Sequence, residues 1–198
     1  MHRRVLAFDF DGTLTKKDSF IEFIKFCKGT TIFFFNLPYL TFLWLAAKLR
    51  IITVDGAKEK VFYRFFKGLS INEFNLKSRS FSSKIDLFLR QEALQTINSF
   101  KKPNHEIIIV SASIENWIKP WAVKNGIDDV VATQIEVDKD GFLTGCFLSK
   151  NCKGKEKVLR ILKKFPNRES YKLISFGNSK GDKELIEFSN KGYMNSIR

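Results

Sequence analysis

The sequence predicts an α/β fold in which a parallel sheet is flanked by helices and a small all-helical segment follows the first strand. Short, almost continuous apolar runs, typical of strands buried on both faces, alternate with helical patterns through most of the chain. The alternation stops between residues 16 and 87, where only helical patterns occur. A length of 198 residues accommodates one core domain with an insertion. We therefore expect a core of residues 1–15 and 88–198 and a helical insertion of residues 16–87.

Four apolar segments are predicted to form the strands of the core, and each is bounded by turn residues. Residues 5–10 lead into Asp-Gly, residues 107–110 follow Pro-Asn, and residues 171–176 are closed by Gly-Asn. Residues 130–137 form the fourth predicted strand. Residues 142–148 are expected to pair with it as a hairpin across an Asp-Gly turn.

Helical patterns separate these strands and fill the insertion. The core patterns lie at residues 87–100, 115–124, 156–164 and 182–188. In the insertion, two Ser-x-x-Glu capping boxes predict helices that begin after Ser19 and Ser70. Asp55 is expected to cap a third helix that runs to residue 67.

The composition favours a globular protein with anionic partners. Hydrophobic residues make up 44%, which excludes a disordered chain, and the net charge of +13 favours phosphates, acidic lipid or nucleic acid as ligands. Three cysteines without C-x-x-C spacing and two histidines leave no zinc cluster or disulfide framework. The apolar run after the basic start is too short for a signal peptide, so we expect a cytoplasmic location.

The insertion is basic and rich in phenylalanine, with 12 of the 21 phenylalanines and 13 Lys and Arg against 6 Asp and Glu. Residues 31–47 carry no charge and are flanked by Lys28, Lys48 and Arg50. A membrane-spanning helix needs roughly 20 apolar residues, so this run is too short to be one. Two interpretations stay open: a buried core helix of the insertion, or an aromatic hairpin at a membrane surface with lysines on lipid headgroups.

Two carboxylates close the first predicted strand. Asp9 and Asp11 project to the same side, at the carboxyl end of a strand where open α/β sheets bind ligands. Such a pair needs a neutralising cation or one retained proton, so one carboxylate can attack phosphorus while the other protonates the leaving alcohol. Gly12 permits a sharp turn, and Thr13 is expected to hold the proton-transferring carboxylate. An ordinary Asp-Gly turn is the alternative.

Ser111 follows the second predicted strand and can bind a phosphate oxygen, with Ser113 capping the next helix; both can equally be simple caps. A lysine at the head of a later helix can neutralise phosphoryl oxygens. Lys153, Lys155 and Lys157 compete for that role, and a solvated face is the alternative for each.

Residues 177–182 follow the last predicted strand and offer oxygen atoms at a strand-to-helix junction. Asn178 and Asp182 lie four residues apart there, and Mg²⁺ prefers hard oxygen ligands and keeps several waters. The two side chains and Asp9 would suffice for a Mg²⁺ site. The alternative is a helix with Asp182 as its N-cap.

These four segments, in this order, resemble the haloacid dehalogenase-like superfamily, specifically the phosphoserine-phosphatase-like subgroup with a helical cap after the first strand. The resemblance covers essentially the whole chain and is carried by residues 9–13, 110–113, 125–127, 132–134, 141–145, 152–162 and 176–185. It implies a Rossmann-like, three-layer core with a parallel sheet, a cap formed by the insertion, and a Mg²⁺-dependent phosphatase activity.

The resemblance also implies roles for individual residues. Asp9 is then the nucleophile that forms an aspartyl-phosphate, and Asp11 is the general acid/base whose backbone carbonyl binds Mg²⁺. Thr13, Ser111 and Lys157 bind the phosphate; the family pattern C-x-G-x-x-K selects this lysine among the three.

The fourth segment departs from the family pattern. The resemblance implies that Asn178 and Asp182 bind Mg²⁺, but the family usually has an acid at the position of Asn178. The amide oxygen of Asn178 lacks a negative charge, so we expect weaker metal affinity.

Two features of the cap point to different substrates. Asp18 falls where phosphoserine phosphatases place an acid for the substrate ammonium group, although it can equally neutralise Lys16 or Lys17. The Phe-rich, basic cap resembles that of bacterial type C phosphatidylglycerophosphatases, which implies a lipid phosphate and contact with the cytoplasmic face of an anionic membrane. The expected substrate is thus a lipid phosphate, or a small amine-bearing phosphate such as phosphoserine.

Phosphotransfer to an alcohol through the same intermediate, and a catalytically weak membrane-binding module, are the alternative functions. A nucleic-acid partner is not expected, because the basic residues are spread over cap and core rather than gathered into a recognisable motif.

Overall fold

The computed structural model describes residues 3–197, which form seven strands and nine α-helices. The strands are β1 (Arg3–Phe8), β2 (His105–Ile114), β3 (Asp129–Thr133), β4 (Ile135–Val137), β5 (Leu143–Phe147), β6 (Tyr171–Gly177) and β7 (Lys191–Met194). The helices are α1 (Ser19–Lys28), α2 (Thr30–Phe35), α3 (Leu37–Lys48), α4 (Val54–Phe66), α5 (Ile71–Ser82), α6 (Ala93–Ser99), α7 (Glu115–Lys124), α8 (Lys155–Lys164) and α9 (Lys183–Phe188). Short 3₁₀ helices lie at Ile85–Phe88, Arg168–Ser170 and Lys180–Asp182.

The main sheet has five parallel strands in the order β3-β2-β1-β6-β7, which confirms the predicted α/β class. The central strand β1 is buried on both faces because Val5 and Ala7 pack with α8 and α9 on one side. Leu6 and Phe8 pack with α6 and α7 on the other side. Since parallel strands all end at one edge, this topology brings the ends of β1, β2 and β6 together.

The strand predictions were wrong in two places. The segment 130–137 is interrupted at Gln134, so β3 joins the main sheet and β4 pairs with β5 in a separate antiparallel hairpin. This hairpin was expected and packs on the insertion, where the Phe147 amide donates to Glu59 at 2.7 Å. The edge strand β7 was not predicted, because its sequence lacks an apolar run.

Three helix starts were also predicted wrongly. Asp18, not Ser19, is the N-cap of α1 and accepts from the Ile21 amide, and Thr53, not Asp55, caps α4. The predicted helix at 87–100 is a 3₁₀ turn followed by α6. Ser70 does cap α5, as expected.

Residues 16–87 form α1 to α5, and the chain leaves and re-enters the core side by side, since Thr15 and Leu89 form an antiparallel bridge. Aromatic rings join this insertion to α7. Phe23 stacks on Trp117 with ring centroids 4.5 Å apart, and Phe74 and Phe81 surround the same pair. Eight phenylalanines of the insertion are buried, so most of its phenylalanine content forms a core.

The helical pair α2–α3 is an exception to this packing. Within residues 31–47 only Phe33, Leu43 and Ala46 are buried, so a buried core helix is the wrong interpretation of this uncharged run. None of the helices formed by residues 3–197 combines the length and apolar character that crossing a bilayer requires.

Candidate active site

The loop after β1 holds Asp9 at the edge of the sheet. Its amide donates to the Phe176 carbonyl at 2.9 Å, which fixes the loop to β6. Gly12 has φ +81°, a left-handed conformation, and a Cβ there would lie 2.1 Å from the Asn178 side chain, so the position requires glycine. The Thr13 hydroxyl donates to Asp9 Oδ2 at 2.9 Å. The expected contact of Thr13 with Asp11 is therefore wrong, and Thr13 orients the other carboxylate.

Lys157, from the first turns of α8, is the buried cation of the site. Its Nζ contacts Asp9 Oδ1 at 2.7 Å, Asp182 Oδ1 at 2.6 Å and the Val110 carbonyl at 2.7 Å. Burial opposes its charge, but the two carboxylates outweigh that effect and raise the pKa of Lys157. Of the three candidate lysines, Lys157 alone is buried, in contact with Asp9; Lys153 and Lys155 are exposed.

Asp182 is held by the turn that follows β6. Its Oδ2 accepts from the amides of Asn178 and Ser179 and from the Ser179 hydroxyl, at 3.1, 2.9 and 2.9 Å. Burial alone would raise its pKa, but Lys157 and the Ser179 donors stabilise the carboxylate and hold the pKa of Asp182 below its usual value. The pKa of Asp9 is raised by burial and by the nearby Asp182 charge, with Lys157 acting in the opposite direction.

Asp11 is oriented by two serines from different parts of the chain. The Ser19 amide, at the start of α1, donates to Asp11 Oδ1 at 2.8 Å, and the Ser113 hydroxyl donates to Asp11 Oδ2. Burial and the Asp18 charge raise the pKa of Asp11 to about 7, which suits a group that must give and take a proton. Ser113 lies within β2 and does not cap α7, so its predicted capping role is wrong.

Ser111 is buried at the edge of the sheet, and its hydroxyl oxygen accepts from the Ser113 amide at 3.0 Å. It lines the same cavity as Asp9 and Asp11. The structure therefore brings Ser111, Lys157, Asp9 and Asp182 to one edge, as the ends of parallel strands require.

The oxygen atoms at this edge suit a Mg²⁺ ion. Two buried carboxylates, Asp9 and Asp182, share one ammonium group, so the cluster carries an excess negative charge that a further cation would neutralise. Asn178 Oδ1 lies 3.3 Å from the Thr13 hydroxyl that also contacts Asp9. Within residues 3–197 no group of three or more His, Cys, Asp or Glu side chains is placed to hold a metal, consistent with an amide at position 178. The donor set fits an ion that keeps several waters.

A cavity of about 900 Å³ connects Asp9 and Asp11 with the insertion. Its polar end contains Asp9, Asp11, Ser111 and Lys157. The apolar part of its wall comes from α1 to α4 and includes Phe20, Ile21, Phe33, Leu37, Leu40, Leu43, Trp44, Ala47, Val54, Ala57 and Val61; Asn151, Lys153, Ser179 and Gly181 from other segments are also part of the wall. The exposed Asp18, which caps α1, also lines the cavity.

Two residues that no sequence pattern singles out also reach the site. Lys58 of α4 lines the cavity, donates to the Ala112 carbonyl at 2.8 Å and lies over the Phe20 ring. Burial lowers the pKa of Lys58, and the carboxylates of Asp18 and Asp11 oppose this. Arg90, where the chain re-enters the core, donates to the Gly12 carbonyl at 3.0 Å. Neither residue follows a strand or a motif, so no local signal marks them among 34 basic residues.

Comparisons with known proteins agree with this geometry. The sequence profile of the haloacid dehalogenase-like hydrolase family matches residues 6–187. Protein CicA of Caulobacter vibrioides is 29% identical over 197 residues, covering 96% of this chain and 85% of CicA. A protein of unknown function from Bordetella pertussis superposes with a TM-score of 0.82 at 19% identity, over 97% of this chain and 89% of that one. A phosphoserine phosphatase in its apo form superposes with a TM-score of 0.65 at 20% identity, over 97% and 86%.

The structural similarities, all at low identity, establish the fold. The family profile matches most of the chain and includes every candidate site residue from Asp9 to Asp182. The family is one of hydrolases, and phosphoserine phosphatases are among the structural neighbours that share the fold. The chain therefore belongs to the haloacid dehalogenase-like hydrolase family.

Proposed function

We propose that this chain is a Mg²⁺-dependent phosphomonoester hydrolase in which Asp9 attacks phosphorus. The observation that carries the proposal is the buried contact of Lys157 with Asp9 and Asp182, 2.7 and 2.6 Å long, at the sheet edge that also holds Ser111. A cation beside the nucleophile neutralises phosphoryl oxygens that would otherwise repel a carboxylate. An ion pair that served only to stabilise the fold would not be expected to lie beside a cavity of about 900 Å³.

The reaction has two steps that use the same side chains. In the first, an Asp9 oxygen bonds to phosphorus, the bond to the leaving oxygen breaks, and protonated Asp11 gives its proton to that oxygen. In the second, Asp11 takes a proton from a water molecule, which attacks the phosphorus of the aspartyl-phosphate and releases Asp9 and phosphate. Thr13 orients Asp9, while Ser111 and Lys157 bind phosphoryl oxygens.

Asp9, Asp182, the Asn178 amide and the Asp11 backbone carbonyl would hold the Mg²⁺ ion. When bound, the ion supplies positive charge that stabilises the phosphoryl group during transfer. With an amide in place of one acid, we expect a higher Mg²⁺ requirement than a site with a third carboxylate would have.

Among the two substrate classes, the cavity wall favours a lipid phosphate such as phosphatidylglycerophosphate over a small amine-bearing phosphate. The space beyond the catalytic end is lined mainly by aliphatic and aromatic side chains, which suits a hydrocarbon chain. A substrate ammonium group at Asp18 would have to share that carboxylate with Lys58, because the charge of Asp18 already acts to raise the pKa of Lys58. A cytoplasmic enzyme with such a substrate would work at the inner membrane surface.

The test is release of phosphate from 4-nitrophenyl phosphate by the purified chain. We expect turnover with Mg²⁺, none with EDTA, and a loss of at least ~10³-fold in kcat for Asp9→Asn, because the nucleophile is removed. The matched control is Asp140→Asn, in the turn of the exposed β4–β5 hairpin, which should retain full activity. Unchanged turnover in Asp9→Asn would refute the mechanism, whatever the substrate.

A further inference from the structure

Helices α2 and α3 and the turn after them expose more large apolar side chains than the rest of the insertion. We call the following exposed residues the α2–α3 surface: Ile32, Phe34, Phe35, Leu37, Tyr39, Phe42, Trp44, Leu45, Leu49 and Ile51. Phe35 is 81% exposed and Phe42 is 66% exposed, values that leave these rings almost wholly in water. Such a concentration of exposed aromatic and aliphatic side chains in one pair of short helices indicates a binding surface.

We propose that the α2–α3 surface docks this protein on an anionic lipid bilayer, with its aromatic rings in the interface and its lysines and arginines at the headgroups. This inference goes beyond the hydrolase activity. It rests on the proposed function only in that a lipid substrate would explain why the protein docks on a membrane. Binding itself requires no catalysis.

Charge favours a bilayer as the occupant. Residues 23–54 contain four basic residues and no acid; Lys25 pairs with Glu22 at 2.9 Å, which leaves Lys28, Lys48 and Arg50 for the headgroups. Each lysine or arginine near an anionic membrane strengthens binding by a factor of about five. Lys48 lies over the Trp44 ring with its Nζ 5.0 Å from the ring centroid, so cation and aromatic ring are presented together, as interfacial residues are.

The same charge argues against a second copy of this chain as the occupant. A two-fold contact places each patch against the same patch of the other copy, so Lys48 and Arg50 of one copy would meet a patch that carries the same basic residues. No acid within residues 23–54 would compensate them. Like charges at such an interface repel.

The position of the cavity supports the same occupant. Trp44 and Lys48 both line the cavity and are exposed, so they lie at its mouth. Leu37, which also lines the cavity, is exposed as well. The cavity that ends at Asp9 therefore opens beside the α2–α3 surface, and a lipid could enter it from a docked bilayer without passing through water.

The experiment measures binding of the full-length Asp9→Asn variant, which cannot consume lipid, to vesicles of phosphatidylcholine alone and of an equal mixture with phosphatidylglycerol. We expect sedimentation with the mixed vesicles that weakens at least fivefold at high salt. In the same background, the pair Phe35→Ser and Phe42→Ser should weaken binding at least tenfold. The matched control is Leu87→Ser, since Leu87 is equally exposed at 81% but lies outside the α2–α3 surface.

Tryptophan fluorescence gives a second readout. Of the three tryptophans, Trp117 and Trp121 are buried and Trp44 is 61% exposed, so quenching reports on Trp44. Phospholipids brominated in their acyl chains should quench it, and vesicles should protect it from iodide. Thermal unfolding of each variant confirms that it is folded.

The proposal is overturned if the mixed vesicles do not bind the chain, or if the phenylalanine pair and Leu87→Ser bind equally. It is also overturned if the chain self-associates without lipid and the phenylalanine pair abolishes that association. None of these results bears on hydrolysis of 4-nitrophenyl phosphate, so failure of the docking surface and failure of the proposed function are distinguishable.

Discussion

Two regions of this molecule place side chains where folded proteins usually avoid them. The site around Lys157 buries two carboxylates and an ammonium group, whereas the α2–α3 surface leaves large aromatic side chains in water. Burial of charge and exposure of apolar area both cost free energy of folding. The first region offsets its cost internally, through short contacts between opposite charges. The second has no such compensation within its own residues, and a ligand outside the chain explains it better than packing does.

The largest contrast should come from removing one lysine in each region. Lys157→Met leaves Asp9 and Asp182 buried without their cation, so we expect the free energy of unfolding to fall by about 3–5 kcal/mol. Lys48→Met, on the exposed side of α3, should change it by no more than about 0.5 kcal/mol. Urea unfolding without Mg²⁺ measures both.

Equal stability of Lys157→Met and Lys48→Met would contradict this prediction. Adding Asp9→Asn to Lys157→Met should recover part of the loss, because one unpaired carboxylate disappears. No recovery would mean that the charges around Lys157 do not interact as the distances indicate.

Within the buried region, Ser113 tests whether Asp11 must be oriented as well as present. Ser113→Ala removes one of its two donors, so we expect hydrolysis of an alkyl phosphate, whose leaving oxygen needs a proton, to slow by about tenfold to a hundredfold. Hydrolysis of 4-nitrophenyl phosphate, a good leaving group, should slow far less. Ser113→Thr keeps the hydroxyl group and should restore the rate of alkyl phosphate hydrolysis. Equal losses on both substrates would indicate a structural role only.

The pH dependence of alkyl phosphate hydrolysis should report the same carboxyl group. Because burial raises the pKa of Asp11 to about 7, the group carries its proton below that pH and loses it above. We expect kcat/KM to fall about tenfold per pH unit above about pH 7, since only the protonated acid can donate. A profile that stays flat to pH 9 would remove Asp11 from this role.

The length of the substrate's alkyl chain tests whether the apolar cavity wall and the site around Lys157 bind the same molecule. The expected change in kcat/KM for each added methylene is the smallest of these effects. If the apolar wall binds a hydrocarbon chain, kcat/KM for alkyl phosphates should rise by about two- to fourfold for each added methylene, the value of burying one such group. Leu40→Trp, which fills part of the cavity, should flatten this series, whereas Leu87→Trp should not. No dependence in the unmodified chain would favour the small amine-bearing substrate instead.

Much of the site could be predicted because its residues follow strands. Asp9, Ser111 and Asp182 each come after an apolar run, and the carboxyl ends of parallel strands must share one edge. The choice of Lys157 needed the family pattern, since three lysines alternate in that segment and spacing alone does not distinguish them. Its burial against Asp9 gives that choice a physical basis.

Helix caps and the partners of Asp11 could not be predicted in the same way. Ser19 has the residue type and spacing of a cap, but its amide binds Asp11 while Asp18 caps the helix. That exchange depends on where α1 lies against the core, a contact between distant segments that no local pattern contains.

By itself, the amino-acid sequence determined the α/β class, the run of helices between the first two strands and the positions of Asp9 and Asp182 after strands of the sheet, because each depends on local periodicity and on polar residues that follow it. Only the tertiary structure decided that most of α3 stays in water, how the cavity wall is composed, and that Thr13 contacts Asp9 rather than Asp11. The physical reason is that burial and side-chain pairing are set by contacts between segments far apart in the chain. An uncharged run such as residues 31–47 has the same composition whether it is packed inside the protein or exposed at its surface.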